Sequence, residues 1–143
     1  MSADASPTRV LIVEDDATLA ELLARALRAH GTDVEVVTTA EAAEARLADG
    51  PAPTLVLLDL NLPGESGWSL FRRGVLGVEG APPVVVTSAV PVSPSRLREF
   101  HVSGYLPKPV SIQVLTECIA RLAHGAADES AEEESAQVRK IDA

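Results

Sequence analysis

Short apolar runs without a polar break alternate along this chain with longer stretches whose apolar residues recur at helical spacing, and few architectures accept that order. Val10 to Val13 and Leu55 to Leu58 read as strands apolar on both faces, Asp33 to Thr38 as a β-branched strand, Pro83 to Thr87 as a fourth strand and Gly104 to Leu106 as a short fifth. Leu19, Leu22, Leu23, Ala26 and Leu27 fall at i, i+3, i+4, i+7 and i+8, one stripe of a helix with Asp16 as its N-terminal cap and Gly31 as its stop. Thr38-x-x-Glu41 reads as the capping box of a second helix that ends before Gly50-Pro51. A last helix starts near Ser111, carries Ile112, Leu115, Ile119 and Leu122 on one side and stops at Gly125. Strands buried on both faces belong to a parallel sheet, because right-handed crossovers lay helices over each face. The predicted fold is α/β, a doubly wound five-stranded parallel sheet in the order 2-1-3-4-5.

Composition narrows the function. The 143 residues fit one domain, and Cys118 is the single cysteine, so no intramolecular disulfide is available and a reducing, cytoplasmic compartment is expected. MSADASPTR does not resemble a signal peptide, and no apolar run approaches the roughly 18 residues of a membrane span. A net charge of −9 argues against direct nucleic-acid binding, which needs basic surface. Six acids against Arg139 and Lys140 put −4 of that charge in residues 126–143, an Ala-rich stretch expected to be disordered or a frayed helix beyond a folded domain at 7–125.

In such a sheet, ligands bind beyond the carboxyl ends of the strands. There this sequence places Glu14, Asp15 and Asp16 after the first strand, Asp59 after the third, Thr87 and Ser88 at the end of the fourth and Lys108 after the fifth. Neighbouring strands lie about 4.8 Å apart, so carboxylates from the first and third would crowd one crevice and repel unless a cation balances them. A hard divalent ion with oxygen ligands suits that need, and Mg²⁺ takes one or two carboxylates plus waters and a phosphate oxygen. A carboxylate nucleophile, a metal, a lysine and a hydroxyl make a phosphoryl-transfer site. Which of Thr87 and Ser88 faces it is a question of register.

The ordered set Glu14-Asp15, Asp59, Ser88-Ala89 and Lys108-Pro109 resembles the receiver domain of two-component response regulators, the CheY-like (βα)5 member of the flavodoxin-like folds, over about residues 8 to 124. The resemblance implies a signalling protein rather than an enzyme. Asp59 would accept a phosphoryl group from a histidine kinase or histidine phosphotransfer protein. Asp15 would bind Mg²⁺ directly, Glu14 mostly through water, and the Asn61 carbonyl would complete the protein ligands around Asp59. Lys108 would pair with phosphoryl oxygens, Ser88 would move to hydrogen-bond one of them, and Tyr105 would rotate inward as the switch aromatic. With only the acidic tail after Gly125, the receiver is expected to stand alone and to act through its own contacts with an unknown output protein, or by onward relay.

Other readings compete. Asp59 alone could cap a turn, Asp16 is better read as a helix cap, Tyr105 could be core, Cys118 an inert buried thiol, and His30, His101 and His124 structural. A haloacid-dehalogenase-like phosphatase uses similar groups but needs a second acid two residues after its nucleophile, where this chain has Asn61. A pseudo-receiver that binds partners without using phosphate is the other alternative. Gly74, Gly77 and Gly80, each costing up to about 1 kcal/mol inside a helix, predict a short third helix. Pro91 and Pro94 predict a fourth helix of about two turns that begins no earlier than Ser95. The output face is therefore expected to be remodelled. Val90 offers no polar group to orient an attacking water, which predicts slow self-dephosphorylation.

Overall fold

The computed structural model describes residues 8–123. His124, Gly125 and the tail at 126–143 lie outside them. Five strands, β1 (Arg9–Val13), β2 (Asp33–Val37), β3 (Leu55–Asp59), β4 (Val84–Ser88) and β5 (Gly104–Pro107), form one parallel sheet in the order β2-β1-β3-β4-β5. Five helices connect them: α1 (Ala17–Ala29), α2 (Ala40–Ala48), α3 (Trp68–Arg72), α4 (Pro94–Glu99) and α5 (Ile112–Ala123). Right-handed crossovers put α1 and α5 on one face, where they touch, and α2, α3 and α4 on the other. Both faces being covered, every residue of β3 and β4 is buried.

The ends of the elements follow from local chemistry. Asp16 Oδ1 accepts from Leu19 N at 3.1 Å and starts α1, whose buried stripe is Ala20, Leu23, Ala24 and Leu27. Leu22, expected on that stripe, is instead 58% exposed, because it lies one residue, or about 100° of helix, from Leu23. The cap of α2 is Thr39, not Thr38: Thr39 Oγ1 accepts from Ala42 N at 3.0 Å. Strand β4 runs one residue later than Pro83 to Thr87.

Helix α3 is five residues long, as the glycines predicted, although those glycines lie after it in the loop to β4. There Gly77 has φ +76°, and a Cβ on it would stand 2.5 Å from Phe100 O. Helix α4 begins at Pro94 rather than Ser95, since proline fits the first helical position, where its missing N–H is not needed. Ser93 caps it, accepting from Arg96 N at 3.2 Å. Trp68 and Phe71 of α3 meet Phe100 at ring-centroid distances of 5.1 and 5.5 Å, and the Arg96 guanidinium lies 5.0 Å from the Trp68 ring, so α3 and α4 share one aromatic cluster.

Candidate functional site

Sheet register brings the site together. Val13 pairs with Leu58, so Glu14 and Asp59 emerge side by side from adjacent strands. Both are only 2% exposed, while Asp15 is exposed. Glu14, Asp15 and Asp59 each offer a carboxylate oxygen within 4.8 Å of the others. Lys108 reaches across the end of β4, its Nζ 3.0 Å from Asp59 Oδ2 and 3.2 Å from Glu14 Oε1. Its peptide bond to Pro109 is cis.

Backbone donors hold the two buried carboxylates. Asn61 N donates to Asp59 Oδ1 at 2.9 Å, and Asp16 N donates to Glu14 Oε2 at 3.1 Å. Burial pushes the Glu14 carboxyl above its ordinary range and the negative charge of Asp59 adds to this, against the hydrogen bonds from Asp16 N and Lys108. For Lys108, burial works against the charged ammonium, but hydrogen bonds to Asp59 and Glu14 outweigh it and hold the pKa above the usual lysine value. Three carboxylates facing one ammonium leave the cluster short of positive charge. A donor set made of oxygens with that deficit fits a hard divalent cation such as Mg²⁺.

The hydroxyl side of the site is formed by Thr87, Ser88 and Tyr105. Ser88 is buried, and its Oγ accepts from Val90 N at 3.0 Å; among the described residues it makes no hydrogen bond to Asp59. Thr87 pairs with Asp59 in the sheet and is equally buried, and its Oγ1 has no hydrogen-bond partner among the described residues. Tyr105 is already inside at 1% exposure, its hydroxyl donating to Val90 O at 3.3 Å. The expected inward rotation therefore has no outward starting position here, because β5 points this ring into the core. Cys118 is buried, as expected. His30 Nδ1 lies 2.9 Å from Ala26 O at the end of α1, and His101 is exposed after α4.

One support escaped sequence reasoning. Arg73, just after α3, holds Glu65 of the loop following Asp59 through contacts of 2.6 and 2.8 Å, and Glu44 of α2 at 3.0 Å. No spacing rule links positions so far apart, and only the fold brings them together.

Residues 10–120 match the response regulator receiver domain family. The chain belongs to that family. This receiver is 38% identical over 117 residues to the sensory transduction protein RegX3 of Mycobacterium tuberculosis, covering 80% of this chain and 49% of that protein. It is 41% identical over 81 residues to the DNA-binding response regulator MtrA of Mycobacterium leprae, covering 57% of this chain and 35% of that one. The chain thus spans about half, or less, of the length of these relatives. Among solved structures, a CheY-like receiver from Methanospirillum hungatei superposes with a TM-score of 0.72 at 23% identity, over 92% of this chain and 99% of that one, a likeness of fold. A response regulator from Chloroflexus aurantiacus gives 0.70 at 28% identity, over 83% and 99%. Receivers are generally signalling modules of two-component systems rather than enzymes. No described helix is long and apolar enough to cross a membrane.

Proposed function

We propose that this receiver accepts a phosphoryl group on Asp59 from a phosphohistidine of a kinase or phosphotransfer protein in the cytoplasm. The observation that carries this reading is a 2%-exposed carboxylate, Asp59, held between Lys108 Nζ and two further carboxylates within 4.8 Å. One Asp59 oxygen attacks phosphorus while the P–N bond of the donor breaks. Its electron pair leaves on the imidazole nitrogen, which takes a proton. Lys108, already hydrogen-bonded to Asp59, stays beside the acyl phosphate and offsets charge on its oxygens. Asn61 N fixes the rotamer of the attacking carboxylate. Mg²⁺, held by Glu14, Asp15, Asp59 and the Asn61 carbonyl, would neutralise the phosphoryl oxygens against the acidic cluster.

The added phosphoryl charge of about −1.5 to −2 then draws on Ser88. Because Ser88 Oγ accepts from Val90 N, and Val90 O accepts from the Tyr105 hydroxyl, displacing Ser88 toward a phosphoryl oxygen, to which it donates its O–H, pulls on both contacts and moves the loop before α4. That loop and α4 are the face offered to an output protein. The chain's acidity supports a protein partner for the receiver over nucleic acid.

Acetyl phosphate with Mg²⁺ tests the reading. Stoichiometric labelling is expected, lost in Asp59→Asn and slowed strongly in Lys108→Ala. Continuous turnover of small phosphoesters would instead indicate a phosphatase. No label at all would leave an interaction module that does not use phosphate.

A further inference from the structure

Thr87 is a buried polar group that this phosphorylation scheme leaves unused. Its backbone is satisfied, with Thr87 O accepting from Leu60 N at 3.0 Å, yet Oγ1 has no partner among the described residues and the residue is 2% exposed. A hydroxyl kept out of water without a hydrogen bond weakens the fold, so such groups are rare away from functional positions. Its place in the sheet is specific. Thr87 pairs with Asp59 on one side and with Leu106 on the other, and partners in parallel strands project from the same face. Lys108 lies two residues beyond Leu106, and its side chain must span the end of β4 to reach Asp59. The register therefore sets Thr87 level with Asp59, on the strand that lies between those leading to Asp59 and to Lys108. Ser88, by contrast, already has a partner at Oγ, which accepts from Val90 N.

We infer that Thr87 is a second hydroxyl of the acceptor site, unpaired in the resting state, which gains its hydrogen bond when a phosphoryl group on Asp59 rearranges Asp59 and Lys108. This rests on the acceptor role proposed for Asp59 and adds a residue to it. Thr87 is a positioning residue: it acts through the aspartyl phosphate and Lys108 and takes no part in breaking the bond to phosphorus. Retaining the hydroxyl weakens the resting protein and favours the phosphorylated one, a bias that valine in its place would remove.

The test compares wild type, Thr87→Val and Thr87→Ser by melting midpoint and by affinity for beryllium fluoride with Mg²⁺, a non-covalent stand-in for the phosphoryl group. Valine keeps the shape and deletes the hydroxyl; serine keeps the hydroxyl. Thr87→Val is expected to melt about 3 °C higher than wild type without the ligand. It should also bind beryllium fluoride on the order of tenfold more weakly, with Thr87→Ser restoring most of that affinity. A resting midpoint at or below wild type would mean that the hydroxyl already has a partner, and the inference falls. Equal affinity of Thr87→Val and wild type overturns it as well. If wild type itself neither binds beryllium fluoride nor takes label from acetyl phosphate, the acceptor role fails and this inference fails with it, a result distinct from the first two.

Discussion

Glu14 shares Lys108 with Asp59 while lying 2% exposed, so its charge sits out of water beside a second carboxylate. Its pKa in the folded chain is raised, burial being the largest cause and the Asp59 charge adding to it. A carboxyl raised on folding binds its proton more readily in the native state. Its contribution to stability is therefore complete below the unfolded pKa and is lost as pH climbs through the folded one. At neutral pH the ionised Glu14 is a liability unless a cation answers it. Glu14→Gln, measured in a chelator that removes divalent ions, should accordingly melt above wild type at pH 7, with the gap closing as pH approaches 4. Thermal melts of the two proteins across that range check it, and a gap that widens on acidification would show that the Lys108 contact outweighs the burial of Glu14.

Most elements were legible because apolar runs and stripes leave few options for Leu55–Leu58 or for Leu23 and Leu27, and the cluster of Glu14, Asp15, Asp59 and Lys108 was legible because these residues follow or close strands. What stayed hidden depends on tertiary geometry or on single-residue register. Adjacent hydroxyls at Thr38 and Thr39 are equivalent caps until the chain direction is known, and Pro94 could as well precede a helix as open one. The packing around α3 is a further case. Gly67 looks like an ordinary turn glycine, and its φ lies outside the left-handed region, yet a Cβ there would stand 2.7 Å from Asp59 O and 3.1 Å from Leu60 Cα. The entry to α3 is thus pressed onto the backbone of Asp59 itself. Gly67→Ala should destabilise the protein by about 1–3 kcal/mol through overpacking and slow the labelling of Asp59. Gly74→Ala is the control: with φ +75° and open space around it, it should lose about 1 kcal/mol from backbone strain and label at the normal rate. Chemical denaturation with labelling time courses separates them; equal labelling rates would mean that α3 does not position Asp59.

At the scale of the whole molecule, the fold gathers like charges that the chain can ill spare room for. The protein carries −9 overall, and the sheet concentrates three carboxylates within 4.8 Å, with Lys108 as the cation that reaches them. Two effects of magnesium are then separable. Screening of the overall charge depends on ionic strength and is shared by sodium chloride. Occupancy of the cluster stabilises the native state by mass action, about 1.4 kcal/mol at ten times the dissociation constant, and grows with the logarithm of ion concentration. Titrating MgCl₂ against NaCl at matched ionic strength should therefore show an extra rise in melting midpoint for Mg²⁺ alone, and Asp15→Asn should remove most of it. Asp15 is the informative position because it is exposed and outside the Lys108 contacts, so its replacement leaves the buried packing intact. Coincident Mg²⁺ and NaCl curves in the wild type would mean that the cluster is tolerated through its contacts with Lys108, without a bound ion.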